Sequence, residues 1–263
     1  MDRNRRTVAD LIALKGKKQL TMLFVRTVDE AAAAEAAGID LLSIIEPLWT
    51  PEMRAAAPSC FVSVGLMYGE LATYEDYLRH AHRAIRIGGD CVYCAASLAT
   101  VSRMRAEGIP VVGHVGLIPS KRTWTGGFRA VGKTLDSALA VYAQVKELEA
   151  AGAFAAEIEV VPERVASEIS KRTSLLLWSM GAGGGCDAQY LFAEDVLGET
   201  QEHLPRHSKV YRDFRGERAR LQRERIAAFR EYAADVGSGA FPAPQHSVPI
   251  AEGEFAAFLK RLD

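Results

Sequence analysis

Two carboxylates stand two residues apart in an otherwise apolar stretch, Ala155-Ala156-Glu157-Ile158-Glu159-Val160-Val161. In an extended strand, alternate residues share a face, so Glu157 and Glu159 point the same way. Carboxylates enclosed among apolar neighbours must share a proton, meet a cation or bind a metal. A carboxyl tuned toward neutrality is what general acid–base chemistry needs. The alternative is that Glu157 pairs with an arginine, such as Arg26, inside the fold. A second signal is Gly113-His114-Val115-Gly116-Leu117-Ile118-Pro119, where small residues on either side of His114 leave bare backbone that a ligand can approach. A third is Gly181-Ala182-Gly183-Gly184-Gly185, a turn whose N–H groups could meet an anion, with Gly183 as the candidate contact. Cys91-Val-Tyr-Cys94 has the spacing of a redox or zinc motif, but on a strand positions i and i+3 face opposite ways, so buried thiols are the simpler reading.

The elements that must hold these groups repeat one pattern. An Ala-rich helical stretch ends, a glycine follows, and an apolar strand begins. Gly38 precedes Leu41–Ile45, Gly88-Gly89 precedes Cys91–Ala96, Gly108 precedes Val111-Val112, and Gly152 precedes Ala155–Val161. Each glycine suits the left-handed position that closes a helix. Further strands are expected at Leu20–Val25, Cys60–Met67 and Leu175–Met180, with an eighth near Ala188–Val196 or just after it. Helices are expected at Val28–Ala37, Tyr74–Ile87, Leu98–Glu107, Leu135–Ala151 and Glu163–Arg172. Such alternation means βα units and a parallel sheet. The fold expected is an α/β (βα)8 TIM barrel, one domain over 1–263, with a C-terminal helix and tail from about 208 to 263. Strand ends at the catalytic face of such a barrel bring Arg26, Glu46, Tyr68, Tyr93, His114, Glu157 and Glu159 together with the glycine turn.

Composition excludes other classes. At 263 residues the chain suits one α/β barrel, with 49% hydrophobic and 25% charged residues. A net charge of -1 gives no reason to expect nucleic acid or an anionic membrane as partner. No apolar run approaches a membrane span. The charged N-terminus is followed by no signal core, since Val8–Leu14 is short and interrupted by Asp10, so a cytoplasmic protein is expected. Four cysteines in a chain this long do not read as a disulfide framework.

These residues, in this order, resemble ketopantoate hydroxymethyltransferase, a family of the phosphoenolpyruvate/pyruvate barrel superfamily. The resemblance runs from about Val8 to Val248. The family's GHxGLxPQ segment corresponds to Gly113–Ser120, its Gly-Gly-aromatic to Gly126-Gly127-Phe128, and its LEAAGA to Leu148–Ala153. The segment carrying its catalytic glutamate corresponds to Ile158-Glu159-Val160-Val161-Pro162, its GIGAG to Ser179–Gly183, its H-x-P-x-F-x-K to His203–Lys209, and its SGxYP to Ser238–Pro242. The resemblance implies one-carbon transfer from methylenetetrahydrofolate to a branched 2-oxo acid, with magnesium stabilising the enolate. It implies Glu159 as acid or base, His114 hydrogen-bonded to a substrate oxygen, and a homo-oligomer, a decamer in the family.

The family's metal positions are altered. Its VGDSLG becomes Ile44-Ile45-Glu46-Pro47-Leu48-Trp49, its second aspartate falls at Gly65, and its Lys-x-Glu pair falls at Tyr93 and Ala95. Glu46 is the one metal carboxylate left, and alone it would bind magnesium poorly. Either Glu157 has become a ligand, or Arg26 and Tyr93 meet the enolate charge, or the chemistry has changed. Substrate contacts are expected from Arg26, Glu46, Tyr93, Glu157 and Gly183. Three functions stay open: a hydroxymethyltransferase-like enzyme acting next to a carbonyl, a folate-independent lyase or isomerase of another small acid, and a catalytically silent barrel serving as a partner subunit.

Overall fold

The computed structural model describes residues 5–201 and 203–262. The first compact unit, residues 1–212, is a closed barrel of eight parallel strands in sequence order. These are β1 (Leu20–Phe24), β2 (Leu41–Ile45), β3 (Phe61–Gly65), β4 (Cys91–Tyr93), β5 (Val111–Gly116), β6 (Ala155–Glu159), β7 (Leu176–Met180) and β8 (Ala188–Phe192). The TIM-barrel expectation is therefore met. The helices are α1 (Val8–Ala13), α2 (Val28–Ala36), α3 (Pro51–Ala56), α4 (Tyr74–Ile87), α5 (Leu98–Ala106), α6 (Arg122–Thr125), α7 (Leu135–Ala150), α8 (Glu163–Ser170) and α9 (Ala193–Leu197). Gly38, Gly88, Gly108 and Gly152 all have positive φ, as the helix-closing pattern requires.

Alternation along each strand sorts the apolar residues into two cores. The inner one fills the barrel with Leu20, Met22, Leu41, Phe61, Cys91, Val112, Ala155, Leu176, Trp178, Ala188 and Tyr190. Leu11 of α1, fully buried in this cluster, closes the floor. The outer one packs the opposite strand faces, such as Val62, Val64, Val92 and Ile158, against the helices. Cys91 belongs to the inner core and Cys94 to the outer, and all four cysteines are free and buried. Burial pushes the Cys94 thiol up to about 11. These are packing thiols.

The floor is stitched by aspartates that precede strands. Asp40 accepts from Thr21 N (3.1 Å), Asp90 from Val62 N (2.8 Å) and Asp187 from Leu177 N (2.8 Å). Each is also met by cations: Arg6 and Lys18 for Asp40, Arg5 and Arg54 for Asp90, and Lys15 for Asp187.

The connection from β7 to β8 departs from strict alternation. It is the glycine segment itself, with no helix among the described residues. A Cβ on Gly183 would collide with Glu163 of α8, and one on Gly185 with Ser167 of α8. These glycines let the segment run flush against α8.

Residues 213–263 form the second unit. It holds α10 (Phe214–Ser238) and α11 (Glu252–Leu259). The helix expected from Ser208 begins instead at Phe214, where Asp213 caps it by accepting from Gly216 N at 2.9 Å. No helix among the described residues is long and apolar enough to cross a membrane.

Candidate active site

The ends of β4, β5 and β6 build a polar nest inside the barrel. Register pairs His114 with Glu157 and Gly116 with Glu159 across adjacent strands. Because β5 and β6 alternate in phase, His114, Glu157 and Glu159 all face the interior. His114 Nε2 lies 3.2 Å from Glu159 Oε2, and its Nδ1 lies 2.7 Å from the Tyr93 hydroxyl. Glu157 Oε2 stands 3.7 Å from the same Nδ1. All three members of the His114–Glu157–Glu159 group are buried. Sequence reasoning assembled this group correctly as a set of neighbours at adjacent strand ends.

Electrostatics separates the two carboxylates. Burial first, and repulsion from Glu159 second, push the Glu157 pKa well above the usual carboxylate range. The Arg26 pairing considered for Glu157 does not occur. Arg26 sits half-exposed at the end of β1, bonded to Glu194 at 2.6 Å and lying over the Phe24 ring. Alternation from the inward-facing Phe24 would turn Arg26 inward too, but Arg26 lies beyond the last strand residue, where alternation no longer holds.

Three further expectations take a different form in the structure. Glu46 follows the last residue of β2 and opens a short 3-10 turn, which carries its side chain out of the barrel wall. It meets His80 Nδ1 at 3.3 Å and Arg83 Nε at 3.4 Å, both on α4. Gly183 gives its carbonyl to Ser179 Oγ and Gln189 Nε2, and the neighbouring Gly184 N–H donates to Glu163. The glycines flanking His114 serve packing rather than ligand approach. A Cβ on Gly113 would meet Leu148 of α7 at 2.6 Å, and one on Gly116 would meet the Glu159 carbonyl oxygen at 2.5 Å.

Gly116 has φ +83°, and that close approach fixes where the end of β6 lies. The next residue, Val160, has φ 49°. A β-branched residue in the left-handed region is strained. Its N–H donates to Met180 O at 2.8 Å and its carbonyl accepts from Val131 N at 3.1 Å, which holds the kink in place. The chain therefore turns sharply just after Glu159.

Sequence reading missed several neighbours. Tyr190 of β8 is buried, hydrogen-bonds Ser43 and feels the charge of Glu157. Trp178, the register partner of Glu157, is fully buried with its indole N–H unpartnered. His207 packs against Gly181, and burial pulls its pKa down although Glu159 and Asp195 oppose that. A tyrosine on the inward phase of β8 was the available signal for Tyr190. None marks His207, which reaches the nest from beyond the last strand.

The chain matches the family model "Ketopantoate hydroxymethyltransferase" over residues 48–244. A 3-methyl-2-oxobutanoate hydroxymethyltransferase from Kosmotoga olearia is 32% identical, covering 91% of this chain and 96% of its own. One from Cenarchaeum symbiosum is 37% identical over 70% of this chain and 68% of its own, and one from Deinococcus radiodurans is 35% identical over 82% and 83%. Among solved structures, one from Burkholderia cenocepacia assigned as a lyase/mutase superposes with TM-score 0.53 at 13% identity, covering 95% of this chain and 94% of its own. That likeness is one of fold.

Proposed function

Because the chain belongs to the ketopantoate hydroxymethyltransferase family, we propose that it is a one-carbon transferase acting on the carbon next to the carbonyl of a small 2-oxo acid. The observation that carries the reading is Glu159, a buried carboxyl group 3.2 Å from His114 Nε2 in the polar nest of the barrel interior. Glu159 takes the proton from the carbon alpha to the oxo group. The C–H electron pair moves toward the oxo oxygen as an enolate, and the enolate carbon then attacks the one-carbon unit carried by methylenetetrahydrofolate; overall both carbon–nitrogen bonds of that unit break with their electron pairs left on nitrogen, water supplies the hydroxyl group, and tetrahydrofolate leaves. Tyr93 holds the His114 ring by a 2.7 Å hydrogen bond at Nδ1, which keeps Nε2 beside the base at 3.2 Å. Arg26, half-exposed beyond β1, would exchange its partner Glu194 for the substrate's carboxylate.

The family's magnesium does not fit the residues present. No group of three or more His, Cys, Asp or Glu side chains among the described residues could hold a metal ion. Glu46 is committed to His80 and Arg83 outside the barrel, and Gly65, Tyr93 and Ala95 bring no carboxylate. No step of the reaction is therefore routed through a metal here.

The test is proton NMR of the purified protein with 3-methyl-2-oxobutanoate in D2O, with and without methylenetetrahydrofolate. Exchange of the alpha proton and, with the carrier, a new hydroxymethyl signal are expected. Exchange without transfer would favour the folate-independent lyase or isomerase, and neither would favour the silent barrel. We further propose that the chain works as a homo-oligomer, which light scattering checks.

A further inference from the structure

The polar nest carries one feature that the proposed reaction has not used: buried donors left without an acceptor. His114 Nε2 lies 3.2 Å from Glu159 Oε2 yet has no hydrogen-bond partner, so the ring's one hydrogen bond is made by Nδ1, to the Tyr93 hydroxyl. A proton on Nδ1 leaves the Tyr93 O–H free, because the phenolic oxygen then accepts from Nδ1. Two oxygens converge on it, the Tyr93 hydroxyl at 2.7 Å and Glu157 Oε2 at 3.7 Å. Neither oxygen then has to spend its own O–H on the ring. The Trp178 indole N–H, on the register partner of Glu157, is a further buried donor without an acceptor.

No positive charge balances this group. Among the described residues no lysine or arginine ion pair reaches Glu157; the charged group acting on it is Glu159 of its own strand. The groups that face it from other strands are Tyr93 and Cys91 of β4, His114 of β5 and Tyr190 of β8. A carboxyl group in such surroundings is retained as the neutral acid, and a neutral acid is a donor. The barrel interior at these strand ends is thus lined by neutral O–H groups.

We propose that the Tyr93 hydroxyl and the Glu157 carboxyl group stand in for a cation, donating hydrogen bonds to the oxo oxygen of the substrate as enolate charge develops on it. The proposal rests on the reaction assigned above and names the groups that make it feasible without a metal. Proton bookkeeping closes. The alpha proton moves to Glu159, the electron pair of the broken C–H bond moves onto the oxo oxygen, and the two donors keep their protons while holding that oxygen. Donors placed in advance in a water-poor site act most strongly on such charge.

The experiment is calorimetric titration of the full chain with oxalate, a planar mimic of the enolate of a 2-oxo acid, in the presence of EDTA. Saturable binding is expected, and saturating magnesium should change affinity less than about twofold. Tyr93→Phe and Glu157→Leu should each weaken oxalate at least about tenfold, within the range for loss of one donor to a charged group. Glu157→Gln keeps a neutral donor and should stay within about threefold, which also guards against misreading a folding defect in the leucine variant. No oxalate binding in EDTA, binding that requires magnesium, or indifference to Tyr93→Phe and Glu157→Leu would each overturn the donor pair. Oxalate binding as described, in a protein that exchanges no alpha proton of any 2-oxo acid, would instead overturn the reaction and leave the donor pair standing.

Discussion

Replacing Glu159 by Gln separates chemistry from architecture. The amide keeps the length and the place beside His114 Nε2, now 3.2 Å from a carboxylate oxygen, but cannot take a proton. Loss of a positioned base costs about 10²–10⁴ in rate, or roughly 2.7–5.4 kcal/mol of barrier. The structural cost is smaller. A 3.2 Å contact between His114 Nε2 and a carboxylate oxygen becomes one with a neutral amide, a change of about 1 kcal/mol at most. For a barrel of this size that lowers Tm by about 2–4 °C. Alpha-proton exchange in D2O, followed by NMR, reads the first quantity, and thermal unfolding reads the second. Glu159→Gln should therefore slow exchange at least a hundredfold with Tm nearly held. A variant that exchanges within tenfold of the parent would refute Glu159 as the base. A fall in Tm beyond 10 °C would show that its role is structural.

Three further outcomes are expected. The folded-state pKa of Glu157 is raised above its unfolded value, so its contribution to stability is full below pH ~4.5 and is lost as pH rises through the folded pKa. Glu157→Gln should consequently raise Tm relative to the parent at pH 8 and show no such gain at pH 4, measured by calorimetry. Val160→Gly removes the strain of φ 49°, about 1–3 kcal/mol, against about 0.5–1 kcal/mol of added chain entropy in the unfolded state. Stability should not fall, while exchange activity should, because the end of β6 loses its fixed kink. Asp187→Ala strips acceptors from Lys15 Nζ (2.7 Å), Leu177 N (2.8 Å) and Ser170 Oγ (3.3 Å). Loss of a buried partner of this kind costs about 3 kcal/mol, so Tm should drop by about 6–12 °C with the active-site face untouched.

What the sequence reveals follows from what periodicity encodes. Parallel strands buried on both faces read as apolar runs, so seven of the eight could be placed directly, and β2 at Leu41–Ile45 agrees to the residue. Alternation within Ala155–Glu159 put both glutamates on one face, and the inward phase is observed. Direction beyond a strand end is not encoded in this way. Glu46 and Arg26 each lie past the last strand residue, where parity no longer holds, and they turn to α4 and Glu194. The glycines misled for a related reason. Their lack of a side chain is legible, but whether it admits a ligand or the Leu148 side chain depends on which neighbour arrives there. α1 was not anticipated, because six residues give too little periodicity, although Leu11 plugs the barrel floor.

The seam between β1 and β8 has a kinetic consequence. Its contacts join residues far apart in the chain: Arg26 with Glu194, Lys15 with Asp187, Gln19 with Gly184. Seams between consecutive strands close over short loops, whereas this one must wait until nearly the whole barrel has been synthesised. Until Phe192 is available to lie beside Phe24, the growing sheet has two open edges. The helix-free link from β7 shortens that interval, since β8 is the next segment of chain and needs no intervening helix to dock first. A ribosome stalled before residue 188 would display a nearly complete sheet with both edges unpaired, the state in which this chain is most prone to self-association.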